Sequence, residues 1–178
     1  MQRGNYTYIY AFLIFVTLSF VNDASADENR EYQLKAAYLL NFARFVYWPE
    51  VSESNDTNEF SICVYGSNPF SDSLDLLANK KIQKKSIQLI YTQELSDKKT
   101  CDIVFVSRSE VATYQSVISE LPKGTLTVSD IKDFIESGGM IGFVTVNNKI
   151  KFEINVKNSM DAGIKYRSQL LEVAEQLK

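Results

Sequence analysis

Two cysteines, Cys63 and Cys101, and a scatter of carboxylates are the residues of this chain with chemistry to offer. Asp102, Asp130, Asp133 and Glu153 are the candidates for an acid and base pair, a task that needs two carboxyl groups whose environments push their pKa values apart. Asp102 and Asp130 stand at expected strand or helix ends, where aspartate commonly caps or turns the chain, so a solvated or capping role is expected of each. No histidine occurs, which removes the commonest general base and the commonest metal ligand. With two cysteines, a four-ligand zinc site needs two carboxylates as well, so no metal and no other cofactor is expected. A carboxylate or Ser-Lys mechanism stays open in principle. The expectation is a protein that is not an enzyme and has no catalytic residues.

Two short motifs invite a binding role. SGGMIG, Ser137 to Gly142, has glycines of the kind that cradle nucleotides, but a dinucleotide fingerprint places them after a strand and before a helix. Here the order is helix to strand, so the glycines punctuate. KKIQKK, Lys80 to Lys85, offers charge to phosphate or acidic lipid, yet beside a strand it reads as a soluble face or a guarded edge.

The amino terminus bounds where such chemistry takes place. Arg3 is followed by an apolar stretch from Ile9 to Val21 and by Ala24-Ser25-Ala26, the outline of a signal peptide with its Ala-x-Ala cleavage site. The stretch is shorter than the roughly 20 apolar residues that a transmembrane helix needs. No cysteine follows the cleavage site to carry a lipid. The alternative is an uncleaved anchor. Residues 1–26 are therefore expected to be a signal peptide, and 27–178 an exported domain located in the periplasm without direct membrane insertion.

A domain of this length buries about 68–70% of the surface its unfolded chain exposes, so it needs no metal or dense disulfide framework. Its net charge of −3 and scattered lysines make nucleic acid a poor partner. Export puts Cys63 and Cys101 where disulfides persist, and a bridge between them is expected; the alternative is two buried thiols.

The elements follow from period and punctuation. Leu34, Ala37, Tyr38, Asn41, Phe42, Phe45 and Val46 recur at helical steps, so 28–47 reads as a helix with Lys35 and Arg44 off its stripe, ended by Pro49. The acidic stretch from Val51 to Glu59 reads as a loop. Phe60 to Tyr65, Ile87 to Tyr91, Cys101 to Val106 and Thr125 to Val128 read as strands, the third buried on both faces. Helices are expected at Ser71 to Ala78, from a Ser107–Glu110 capping box to Leu121, and from Asp130 to Glu136. Met140 to Val146 and Ile150 to Val156 form a hairpin. Phe152 and Ile154 face inward, and a buried Glu153 would look to Lys149 or Lys151. A last helix then carries Gly163, Tyr166, Leu170, Leu171, Ala174 and Leu177 on one face. The fold class is α/β: a single-domain three-layer sandwich whose largely parallel sheet ends in a C-terminal antiparallel hairpin.

Several segments in order, LKAAYLLNFARFVYWPE, FSICVYGSNPF, CDIVFVSRSE, LTVSDIKDFIESGGMIGF, KIKFEINV and YRSQLLEVAE, resemble the YfiR family of exported α/β proteins. The resemblance runs from about Glu31 to Ala174. It implies a small periplasmic regulator without known catalysis. The best-understood relative binds the periplasmic part of an inner-membrane diguanylate cyclase and holds it inactive, keeping cyclic di-GMP and biofilm formation low until redox state or envelope stress relieves the hold. Homodimers are implied too. Some relatives carry a second cysteine pair; this chain lacks it, so redox control would rest on Cys63 and Cys101 alone. Other relatives are encoded near sensor kinases or outer-membrane receptors, so the alternative function is a periplasmic small-molecule-binding module serving one of these.

Such a repressor needs an apolar surface that prefers one conformation of its partner. Leu39 and Phe42 are assigned to the core. Phe45, Tyr47 and Trp48, at a helix end running into a proline, are the expected partner-binding anchors, since Trp and Tyr are enriched at binding hot spots.

Overall fold

Two apolar layers sandwich one sheet, and the alternation of side chains along the strands decides which residue enters which layer. The computed structural model describes residues 23–49, 58–95 and 101–178. Most of the expected signal peptide and of the expected acidic loop from Val51 lies outside the described residues.

The strands are β1 (Val46–Tyr47), β2 (Glu59–Tyr65), β3 (Lys81–Ile82), β4 (Lys85–Thr92), β5 (Ile103–Val106), β6 (Leu126–Ser129), β7 (Ile141–Val146), β8 (Lys149–Ile154), β9 (Lys165–Tyr166) and β10 (Gln176–Leu177). The main sheet runs β10-β8-β7-β6-β5-β2-β4-β3. From β4 to β7 all neighbours are parallel. β8 closes the expected antiparallel hairpin with β7, over Asn147 and Asn148 at φ values of 49° and 58°, the two-residue turn whose positive angles match strand twist. The chain goes from β2 outward to β4 and then returns to β5 on the other side of β2. This is the order of a doubly wound sheet. β5 and β6 are buried along their whole length, as central parallel strands are.

Helix α1 (Asp23–Phe45) crosses one face of the sheet. Ile62, Val64, Ile103, Phe105, Leu126, Val128, Phe143 and Phe152 meet it there. Phe42 stands edge-on to Phe152 with ring centroids 5.1 Å apart, and a large apolar side chain so buried contributes about 1.5–3 kcal/mol. The opposite face, with Cys63, Tyr65, Val104 and Val106, is covered by Tyr114 of α3 (Tyr114–Glu120) together with Ile131 and Phe134. The single α/β domain of three layers is as expected.

Several local expectations are corrected. The apolar stripe of α1 is rotated: Tyr32, Lys35, Ala36, Leu39, Leu40, Phe42, Ala43 and Val46 are buried, whereas Leu34, Ala37 and Asn41 face solvent. α1 also begins at Asp23, ahead of the expected cleavage point, and stops at Phe45. Val46 and Tyr47 leave it to pair with Tyr166 and Lys165 of β9. Of the expected helix at Ser71 only α2 (Asp75–Ala78) forms, after a turn. Ser107 caps a short 3-10 turn, Arg108–Glu110, before α3 rather than one continuous helix. Asp130 caps no helix either, because Asp133 takes a φ of 57° that an α-helix does not admit. The chain folds back there instead, and Phe134 lies so close to Gly139 that a Cβ at that glycine would sit 2.2 Å from the ring.

The expected last helix is broken. Asn155 caps α4 (Val156–Asp161) by accepting from the Asn158 N–H at 2.9 Å. Gly163, at φ 82°, then turns the chain into β9, and α5 (Ser168–Glu172) and β10 follow. The basic stretch from Lys80 folds into the β3–β4 hairpin at one sheet edge, where lysines discourage strand addition.

Candidate functional site

The carboxylates considered for acid and base work do not form a pair. Asp102 precedes β5 and Asp130 follows β6; because these strands are parallel, the two groups sit at opposite ends of the sheet. Asp102 Oδ2 accepts from the Ser61 N–H at 2.7 Å and the Ser61 hydroxyl at 3.0 Å, tying β5 to β2. Glu153 is half-buried on β8, and its carboxyl is pushed up, first by burial and then by the negative charges of Asp133 and Glu175. Neither lysine proposed for it takes that role: Lys151 pairs with Glu175 at 3.7 Å.

Asp130 is the centre of a cluster that sequence reasoning missed. The N-terminal half of α1 passes over the carboxyl ends of β5 and β6 and brings Glu31, Tyr32 and Lys35 to it, while Arg108 arrives from the end of β5. Asp130 Oδ2 accepts from Tyr32 Oη at 2.8 Å and Lys35 Nζ at 2.5 Å, and Arg108 Nη2 lies 3.2 Å away. Arg108 Nε donates to the Asp130 carbonyl at 3.4 Å. Glu31 pairs with the Lys35 ammonium and lies 3.8 Å from Arg108 Nη2. The ammonium also stands over the Tyr32 ring, 4.3 Å from its centroid.

Two cations therefore face two carboxylates, and the cluster is neutral overall. Lys35 is 1% exposed and Arg108, at its mouth, has a side chain 58% exposed. Asp130 Oδ1 is buried with no hydrogen-bond partner. Burial, and then the bond to Asp130, hold the Tyr32 phenol well above its ordinary pKa. Such an arrangement fastens α1 across the strand ends. The one signal for it in the sequence is Glu31 four residues before Lys35, a spacing that pairs charges on a helix.

The two cysteines are joined: Cys63 on β2 and Cys101 before β5, with Cα atoms 5.9 Å apart. Both are buried in the layer opposite α1. The bridge crosses adjacent strands.

Of the expected anchors, Phe45 and Trp48 are half-buried and pack on the core. The Trp48 ring stands edge-on to Phe60 at 5.2 Å, and its indole N–H is buried without a partner. Tyr47 is 52% exposed, with the Arg167 guanidinium 4.8 Å over its ring. The three adjoin one another, but only Tyr47 presents most of its side chain to solvent.

Among the described residues no group of three or more His, Cys, Asp or Glu side chains is placed to hold a metal ion. Among them, too, no helix is long and apolar enough to cross a membrane.

Comparison with known proteins agrees with this architecture. A crystal structure of a conserved domain protein from Vibrio cholerae O1 biovar eltor superposes with a TM-score of 0.51 at 10% identity. The alignment covers 80% of this chain and 60% of that one, so the likeness concerns the fold. No curated protein matches the chain. The pattern of the YfiR/HmsC-like family matches residues 32–175, from the tyrosine of the ion cluster to the glutamate that pairs with Lys151. The chain belongs to the YfiR/HmsC-like family.

Proposed function

We propose that the protein is an exported periplasmic regulator that binds a membrane-bound signalling enzyme, a diguanylate cyclase, and holds it inactive so that cyclic di-GMP stays low. Family membership over residues 32–175 carries this reading. The residues are in keeping with it: the carboxylates at the two ends of the sheet serve as tethers rather than as an acid and base pair. Regulation by binding requires unequal affinity for two states of the partner, since equal affinity shifts nothing.

Tyr47 supplies an exposed aromatic just after α1, with Arg167 over its ring, while Phe45 and Trp48 beside it in the chain pack on the core. We assign the partner-binding surface to this corner, and the acting form to a homodimer. The signal peptide ends at Ala26.

Deletion of the gene is expected to raise cellular cyclic di-GMP and surface attachment, and the tagged mature protein is expected to capture one cyclase from solubilised membranes. Unchanged nucleotide levels together with no captured membrane enzyme overturn the reading. Amino-terminal sequencing of the periplasmic fraction is expected to begin at Asp27, and light scattering of that material to give a dimer mass.

A further inference from the structure

Strand β8 has an outer edge that is only half closed. β10 covers its end, with Gln176 opposite Glu153 and Leu177 opposite Ile154, and Glu175 N–H donates to the Phe152 carbonyl at 2.8 Å. Before that point, along Lys149 to Lys151, no strand lies beyond β8 among the described residues. Lys149 closes the two-residue turn opposite Val146. Antiparallel alternation then turns the backbone groups of Lys149 and Lys151 toward β7 and those of Ile150 outward.

An open edge guarded by lysines is ordinary. This one is also the wall of a groove of about 660 Å³ whose opposite wall is α1. Leu34 and Tyr38 of α1, Phe152 of β8 and Val173 give it apolar lining, and Leu34 and Val173 are 45% and 59% exposed. A helix facing a free strand edge across an apolar floor is the shape in which an extended peptide docks as an added strand.

The charges decide what kind of strand fits. With Ile150 as the outward-bonding residue, a second copy of β8 can pair antiparallel only in registers that keep like positions opposed. Every such register that leaves β10 in place sets Lys149 or Lys151 against another lysine. Like charges directly opposite are destabilising. Carboxylates opposite these lysines are favourable; they lie on the sheet face away from α1, where Lys151 also reaches Glu175 at 3.7 Å, while the helix wall carries Arg30 beside Asp27 and Glu31. Ile150 and Phe152 face the α1 layer, so the intervening residues of the incoming strand meet the apolar floor.

We infer that the groove between α1 and the open edge of β8 binds an extended segment of another protein in which acidic and apolar residues alternate, added to the sheet beside Lys149–Phe152.

The test uses the mature protein and two fluorescent eight-residue peptides, one alternating Glu with Leu and one alternating Lys with Leu, read by fluorescence anisotropy. The acidic peptide is expected to bind at least tenfold more tightly than the basic one. Ile150→Pro removes an outward N–H while leaving the ladder to β7 intact, and is expected to weaken acidic-peptide binding tenfold or more. The double variant K149E/K151E, which alters no backbone group, is expected to reverse the preference. Equal binding of the two peptides, no binding of either, or binding indifferent to both variants overturns the inference. So does a dimer that Ile150→Pro converts to monomer, since a second copy then occupies the edge. Peptide binding and cyclic di-GMP levels are separate readouts, so failure of either leaves the other standing.

Discussion

Lys35 and Asp130, 95 residues apart in the chain, meet at 2.5 Å with both side chains almost wholly out of water. The contact joins the helix that covers one face of the sheet to the strand ends from which the loops emerge. A buried pair of this kind is weak evidence of net stabilisation, because desolvating two ions offsets much of their attraction. Removing one partner alone is a different matter.

Lys35→Met leaves the Asp130 carboxylate buried with Tyr32 and Arg108 but without the ammonium. Breaking a buried pair costs about 3–5 kcal/mol, and the two remaining donors argue for the lower end. Urea unfolding should show the midpoint falling accordingly. Adding Asp130→Asn, which removes the stranded charge, should restore part of the loss. A Lys35→Met protein with the wild-type midpoint refutes this account of the cluster.

The Cys63–Cys101 bridge closes a separation of 38 residues, worth about 4 kcal/mol in the chain-entropy model. Cys63→Ser should therefore lower the melting temperature, and reductant should do the same to the wild type. Because both sulfurs are buried, a thiolate reaches them only after local opening. Reduction by dithiothreitol, followed by alkylation and mass measurement, should be slow in buffer and faster in sub-denaturing urea. Equal melting points in the two redox states would remove the bridge from any regulatory role.

Glu153 carries a pH dependence whose sign is set by burial. Its carboxyl is held above the ordinary glutamate value, so the folded protein keeps the proton that the unfolded chain gives up. Stability from this group is present at low pH and is lost as pH rises from the unfolded value to the raised one. Glu153→Gln should match the wild type at about pH 4 and be the more stable of the two near neutrality. Melting temperatures across that range measure it. Parallel curves for the two proteins rule it out.

Tyr47 and Trp48 should separate binding from folding. Tyr47 is mostly exposed, so Tyr47→Ala is expected to leave the melting temperature within about a degree or two, as surface substitutions do. It should nevertheless weaken capture of the membrane partner severalfold or more. Trp48→Ala removes the edge-on contact with Phe60 and should lower stability as well. A Tyr47→Ala protein that captures its partner as well as the wild type moves the binding surface elsewhere.

Much of the main sheet was legible in the residues. IVFV reads as a central strand, because apolar residues at every position need both faces covered, and Asn147-Asn148 fits the short turn of a hairpin. The cysteine bridge was expected and forms. The carboxylates were visible only as types, and their roles were not: Asp102 reads the same whether it caps, catalyses or tethers Ser61.

Helix α1 shows where local pattern stops. From Tyr32 to Phe45 its apolar residues span a wide arc, so its period admits a stripe through Leu34 and Asn41 as well as one through Tyr32, Ala36 and Leu40. In the structure the buried face carries Leu39, Leu40, Phe42 and Ala43, and Lys35 on that face reaches Asp130. Likewise Phe45-Val46-Tyr47 has helical period, but Val46 and Tyr47 find backbone partners in β9, and the expected last helix breaks where Gly163 lets the chain turn to meet them. The amino-acid order alone determined which segments are apolar, where turns are permitted, and which chemistries have no side chains to run them. Tertiary structure alone decided which face of α1 is buried, which charges meet and which strand edge stays open, because each depends on partners tens of residues away and no local propensity encodes them.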